Sequence, residues 1–203
     1  TKREWQAAGL PTAPWAIVTR GDWSPPEGLQ PPVVIKPLAE GSSIGVSVCD
    51  TIESLRHVLP QAISSFGRVL VERRLEGPEL TVGILGHDPL PVIQVRPAAE
   101  FYDYAAKYQR DDTAYLLDPD LDRATYQAIQ GVAVKAFTVL GCRDLARIDF
   151  ILDRRAGPQL LEINTLPGFT DHSLLPKAAA HAGIPFSRLV EMLLEMARGR
   201  STA

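Results

Sequence analysis

RIDFILDRRAGPQLLEINTLPG, residues 147–168, sets one acidic residue inside an apolar run and a second, with an amide, inside the next. Arg154 to Gly157 suit a four-residue turn, so the stretch reads as a hairpin with Asp153 opposite Pro158, Asp149 opposite Glu162 and Arg147 opposite Asn164. Strand side chains alternate with period 2, which puts Arg147, Asp149, Glu162 and Asn164 on one face. Opposed carboxylates lie roughly 5 Å apart at Cβ and repel unless something sits between them. A divalent cation answers this. Two carboxylates and an amide oxygen are hard ligands that suit Mg²⁺ or Mn²⁺, and Mg²⁺ completes its octahedron with water and phosphate oxygens. On this reading the hairpin is a metal platform for a nucleotide. The plainer alternative pairs Asp149 with Arg147 or another cation and leaves Glu162 and Asn164 facing solvent, and a one-residue slip would separate the acids.

Outside the hairpin, composition narrows the function classes. A length of 203 residues with 45% hydrophobic content suits one large domain or two small ones. Net charge is −3 with both signs mixed along the chain, which argues against a nucleic-acid stripe or polybasic anchor and for a small-molecule partner. Cys49 and Cys142 are in no metal or disulfide spacing and read as reduced thiols of a cytoplasmic protein. There is no signal-peptide pattern, and GVAVKAFTVLG is broken by Lys135 well short of a membrane span. The chain opens at Thr1 with TKREWQAAGL, which reads as a helix under way; a fragment is the expectation.

Prolines and glycines cut the chain into short elements. After the opening helix and the turn-rich TRGDWSPPEGLQPP come a strand (PVVIKP), a glycine-serine loop (AEGSSIGV) and a second strand (VSVCD). Asp50 with Glu53 resembles a capping box for a helix through Ile52, Leu55, Leu59, Ile63 and Phe66, which Pro60 should kink or shorten. RVLVERRL reads as a strand, LTVGILG with PLPVIQVRP as a hairpin, and residues 99–119 as a long functional loop. Leu121 to Leu140 marks a helix closed by Gly141, and two short helices follow, LLPKAAAHAG and FSRLVEMLLEMARG, the second with Ser187 as N-cap. Strands followed by helices point to an α+β fold with antiparallel sheets.

Other chemistry-bearing residues carry weaker signals. EGSSIGV lacks the Walker A spacing, yet its small residues leave backbone N–H groups free to fold over phosphates, within reach of Lys36. Lys107 reads equally as a solvated loop lysine. Glu72 and Glu79 could serve adenine and ribose, or be ordinary strand and turn residues. Ser173 reads as an anion site or as a plain N-cap.

Taken together, VVIKPLAEGSSIGV, VERRLEGPELTVGILG, FYDYAAKY, LGCRDLARIDFILD and LLEINTLPGFTDHSLLP resemble, in order and spacing, the blocks of the D-alanine–D-alanine ligase family of the ATP-grasp superfamily. The resemblance covers nearly the whole chain. It implies two lobes of mainly antiparallel sheet with flanking helices enclosing a nucleotide, a mobile central lobe at 1–76 and a C-terminal lobe at 77–203 with the metal and substrate site. It implies Lys36 and Lys107 on the ATP phosphates, Glu72 and the backbone near Leu75 at adenine, Glu79 at ribose, and Asp149, Glu162 and Asn164 as ligands of two Mg²⁺ (or Mn²⁺) ions. Arg147 resembles the arginine at the reacting centre, and Gly168 the backbone donor to the oxyanion. Ser173 and Leu174 resemble the pair receiving the second D-alanine carboxylate. Ser42 and Tyr108 resemble a latch closing the loops, with Glu40 in the same loop contact, and Tyr108 matches the dipeptide-forming type.

The implied reaction is ATP-dependent joining of two D-alanines through an acyl phosphate, for peptidoglycan precursors. Arg147 and the lysines would stabilise charge on the transferring phosphoryl group. Two rival readings stand beside it: another ATP-grasp carboxylate-amine ligase, and a non-catalytic ATP- and Mg²⁺-binding fragment. The family's N-terminal domain, with an acidic residue that meets the first D-alanine and with its homodimer contacts, has no counterpart in this chain. Metal and most nucleotide contacts survive on this view, while full activity of this polypeptide alone is in question.

Overall fold

The computed structural model describes residues 1–41, 43–96 and 114–200, which group into two compact units. Helix α1 (Lys2–Ala7) opens the chain and belongs with the second unit; the first unit runs from Ala13 to Leu75.

In the first unit, β1 (Trp15–Val18), β2 (Val33–Pro37), β3 (Ser47–Cys49), helix α2 (Ile52–Phe66) and β4 (Val69–Arg73) follow in order. The strands form an antiparallel sheet ordered β1-β4-β2-β3. Alternation sends Val18, Val33, Ile35, Val69 and Val71 into a core shared with Leu55, Leu59 and Ala62 of α2. The intervening residues, among them Trp15, Lys36, Leu70 and Glu72, take the opposite face.

Three local expectations change here. The capping box is Thr51 with Ser54, one residue later than expected: the Thr51 hydroxyl accepts from Ser54 N at 3.1 Å and Ser54 Oγ accepts from Thr51 N at 3.2 Å. Thr51 holds this place because its backbone is extended (φ −133°, ψ 159°). Helix α2 also runs through Pro60 to Phe66. Burial of Leu55, Leu59 and Ala62, at about 1.5–3 kcal/mol for each leucine, outweighs the roughly 3 kcal/mol an interior proline costs. Strand β1 escapes a sequence reading because WAIV is too short to show a period, and it exists through its pairing with β4.

The second unit contains β5 (Glu79–Leu85), β6 (Asp88–Arg96), β7 (Ala114–Leu116), α3 (Arg123–Val139), β8 (Leu145–Asp153), β9 (Gly157–Asn164), α4 (Leu174–His181) and α5 (Phe186–Arg200). Its antiparallel sheet is ordered β7-β6-β5-β8-β9. One face buries Leu80, Val82, Ile84, Ile148, Phe150 and Leu160 against Ile129, Ala133 and Phe137 of α3. Trp5 of α1 joins that core, fully buried, and its Nε1 donates to Ala136 O at 3.2 Å. That burial groups α1 with this unit, whereas the sequence reading assigns residues 1–76 to the other lobe; the chain passes between units at Leu75–Glu76. Helix α5 starts at Phe186, so Ser187 lies inside its first turn, and Leu189 N donates to Pro185 O at 2.9 Å.

The other face of this sheet is divided. Leu85, Ile93 and Leu145 lie under α4 and α5 with Leu175, Ala178 and Leu189. Gly83 permits the close approach, since a Cβ there would stand 2.9 Å from Leu90 Cδ1 and 3.2 Å from Leu175 Cγ. Further along the same face come Thr81, Arg147 and Asp149. No helix among the described residues is long and apolar enough to cross a membrane.

Candidate active site

The β8–β9 hairpin pairs Asp149 with Glu162 and Arg147 with Asn164, the register read from sequence. It reaches that register by another route. The loop has three residues, Arg154 to Ala156, with Asp153 opposite Gly157 and Leu152 opposite Pro158, in place of the four-residue turn expected. Gly157 closes it at φ +71°, a left-handed conformation that glycine adopts without penalty. The Asp153 carboxylate holds the turn, accepting from Arg155 N at 3.1 Å and Ala156 N at 2.8 Å. The register then shifts between Phe150, opposite Leu160, and Asp149, opposite Glu162, which leaves Leu161 as a bulge. The shorter loop and the bulge offset one another, so the acids face each other after all.

Around Asp149, which is 6% exposed, the side chains converge. Arg147 grips its carboxylate in a fork, Nε to Oδ1 at 2.9 Å and one Nη to Oδ2 at 2.8 Å. Asn164 Nδ2 lies 3.1 Å from Asp149 Oδ2 and 3.3 Å from Glu162 Oε1, so the amide stands between the two acids. Thr81, from the neighbouring strand β5, brings its Oγ1 to 2.7 Å from Asp149 Oδ1. Thr81 is absent from the sequence reading; its one signal is a polar residue alternating with buried Leu80 and Val82.

Arg147 balances one of the two carboxylates, and the exposed Glu162 leaves the cluster with a net negative charge. Among the described residues no three His, Cys, Asp or Glu side chains gather in a metal-sized cluster. An ion here would have two carboxylates and an amide whose oxygen and nitrogen exchange on a half-turn, the sparse oxygen set that Mg²⁺ accepts. The donor set fits the ion.

The other predicted residues fall into separate groups. In the first unit, Lys36 Nζ is ion-paired with Glu72, which is 2% exposed, and Leu75 is buried near the unit's end. Glu40 is exposed in the glycine-serine loop. In the second unit, Glu79 begins β5 opposite Ile151. Gly168 and Ser173 are neighbours: a Cβ on Gly168 would stand 3.1 Å from Ser173 Oγ. Ser173 is the N-cap of α4, but its hydroxyl turns back to Thr170, accepting from Thr170 N at 3.0 Å, and makes no capping bond; Leu174 follows as the first helical residue. Ser42, Lys107 and Tyr108 lie outside the described residues. Both cysteines are free, and burial pushes the Cys49 and Cys142 thiols up, which argues against nucleophilic thiol chemistry at either.

Comparison with known proteins gives the family. The model of the D-ala D-ala ligase C-terminus matches residues 5–195. A D-alanine–D-alanine ligase of Alcanivorax borkumensis is 45% identical over 98% of this chain and 64% of its own length. One from Actinobacillus pleuropneumoniae serotype 5b is 44% identical over 97% of this chain and 66% of its own. The chain thus spans just under two thirds of the curated relatives it matches. Among solved structures, a D-alanine–D-alanine ligase of Bacillus anthracis complexed with ATP superposes with TM-score 0.83 at 28% identity, covering 99% of this chain and 65% of that one. Another structure of the Bacillus anthracis ligase gives TM-score 0.85 at 32% identity, with 99% and 67% covered. The fold is that of the ATP-grasp ligases, and the chain belongs to the D-alanine–D-alanine ligase family.

Proposed function

We propose that this chain carries the nucleotide and metal chemistry of an ADP-forming ligation of two D-alanines into D-alanyl-D-alanine. The observation that supports it best is the opposed pair Asp149 and Glu162 with Arg147 and Asn164 on the same face. The names of the relatives, and the ATP in one neighbouring structure, supply the substrate class.

In this reading Asp149, Glu162 and Asn164 would hold two Mg²⁺ ions, which would supply charge neutralisation for the transferring phosphoryl group. Lys36 and Lys107 meet the phosphates, Glu72 and the Leu75 backbone the adenine, and Glu79 the ribose. One D-alanine carboxylate attacks the γ-phosphorus and ADP leaves; the amine of the second D-alanine then attacks the acyl phosphate carbonyl and expels phosphate. Arg147 and the Gly168 N–H stabilise the oxyanion of that addition, and the free N–H groups at the start of α4, with Ser173 and Leu174, receive the second carboxylate. Ser42 and Tyr108 latch the loops and exclude water from the acyl phosphate. Peptidoglycan precursor synthesis in the cytoplasm, by a full-length enzyme that is a homodimer, is the setting the family resemblance supports.

One sample tests the proposal in two stages: titration with ATP in the presence and absence of Mg²⁺, then ADP release with D-alanine, D-lactate or L-alanine added. Mg²⁺-dependent ATP binding with D-alanine-dependent ADP release is the expected result. Binding that ignores Mg²⁺ would sink the metal reading, release driven by another acceptor would move the chain to a different ligation, and binding without turnover would leave it a nucleotide-binding fragment.

A further inference from the structure

We infer that Thr81 is a positioning residue for Asp149, fixing which of its carboxylate oxygens is offered to the ion; this rests on the metal reading above. Strands β5 and β8 set Thr81 directly opposite Asp149, and the two are 3% and 6% exposed. The Thr81 hydroxyl has one hydrogen and two acceptors in reach, Asp149 Oδ1 at 2.7 Å and Ile148 O at 3.3 Å. The shorter contact to a charged oxygen takes it. Arg147 Nε reaches the same Oδ1 at 2.9 Å, so this oxygen has two donors, of which Thr81 comes from β5, on the other side of β8 from the strand that carries Glu162. Oδ2 also has two donors, one Arg147 Nη at 2.8 Å and Asn164 Nδ2 at 3.1 Å, and that amide reaches on to Glu162 Oε1 at 3.3 Å; Thr81 is thus the contact that sets Oδ1 apart from Oδ2. A carboxylate pinned at Oδ1 cannot swing to give both oxygens to one ion. It presents a single oxygen, as a small octahedral ion with few protein ligands requires. Partners that orient a ligand in this way ordinarily carry a 10–100-fold share of metal affinity.

A threonine in a buried strand could also be there for its shape, and two substitutions separate the cases. Thr81→Val keeps the branched shape and loses the hydroxyl; Thr81→Ser keeps the hydroxyl and loses the methyl. Mn²⁺ is titrated by electron paramagnetic resonance into the 203-residue chain with ADP present, beside Asp149→Asn, with circular dichroism confirming that each variant is folded. Thr81→Val should bind Mn²⁺ about 10–100-fold more weakly while Thr81→Ser stays within about 2-fold of the parent. Parent-like affinity in Thr81→Val, or equal weakening in both variants, would overturn the assignment. A parent chain that binds Mn²⁺ no better than Asp149→Asn would fail earlier, at the metal reading itself, and would remove the role of Thr81 with it.

Discussion

Each of the two sheets buries a carboxylate on the face away from its main helix-packed core, and the two are treated differently. In the first unit the buried Glu72 is ion-paired with Lys36. In the second, Asp149 meets Arg147, Thr81 and Asn164, yet a further acid, Glu162, stands across from it. In the Glu72–Lys36 pair each charge meets its opposite. Among the described side chains the second cluster has one carboxylate more than Arg147 balances, and the proposed metal site rests on that imbalance. Ion pairing alone does not mark the proposed metal site, since both acids have it; the second carboxylate is what the metal reading rests on.

The largest effect should come from erasing that surplus. Glu162→Gln makes the second cluster resemble the first, one acid against one base, and should weaken Mn²⁺ binding by about 100-fold or more, beyond the share of an orienting partner. Relief of the cross-strand repulsion should at the same time raise the metal-free melting temperature by about 1–3 °C. Calorimetric melting beside the Mn²⁺ titration checks both; a variant that binds as before would erase the contrast between the sheets.

The next effect probes the balanced sheet. Lys36→Met leaves Glu72 buried without its lysine and should destabilise the first unit by about 3 kcal/mol, whereas Glu72→Gln, which leaves a lysine 29% exposed at its side chain, should cost about 1 kcal/mol. Urea unfolding of the two variants reads the difference, and equal losses would show that burial of Glu72 is not what the pair answers. The smallest effect concerns the turn. Gly157→Ala meets no neighbour within 4 Å, so its cost is the left-handed backbone alone, about 1 kcal/mol in the same unfolding assay. Mn²⁺ affinity should hold, because the bulge at Leu161 separates the turn from the acids.

Much of this was legible in the chain. The hairpin that faces Asp149 with Glu162 joins residues close in sequence, where alternation and a short turn restrict the pairing to few registers. Helix α3 showed its period and its closing Gly141 at φ +64°. Other features were hidden by their nature. The cap of α2 depended on the extended backbone of Thr51, and passage through Pro60 on how much that helix buries. The four-residue strand β1 required β4 to give it an edge.

Sequence by itself determined which residues alternate, which acids share a face and which family the blocks resemble, because these follow from short-range spacing along one strand or hairpin. Tertiary structure alone decided that Thr81 reaches Asp149, that Trp5 ties the opening helix to the second unit, and that Gly83 lets α4 settle on the sheet. Those contacts join segments 60 or more positions apart in the chain, and no local period records which distant strand or helix will lie alongside.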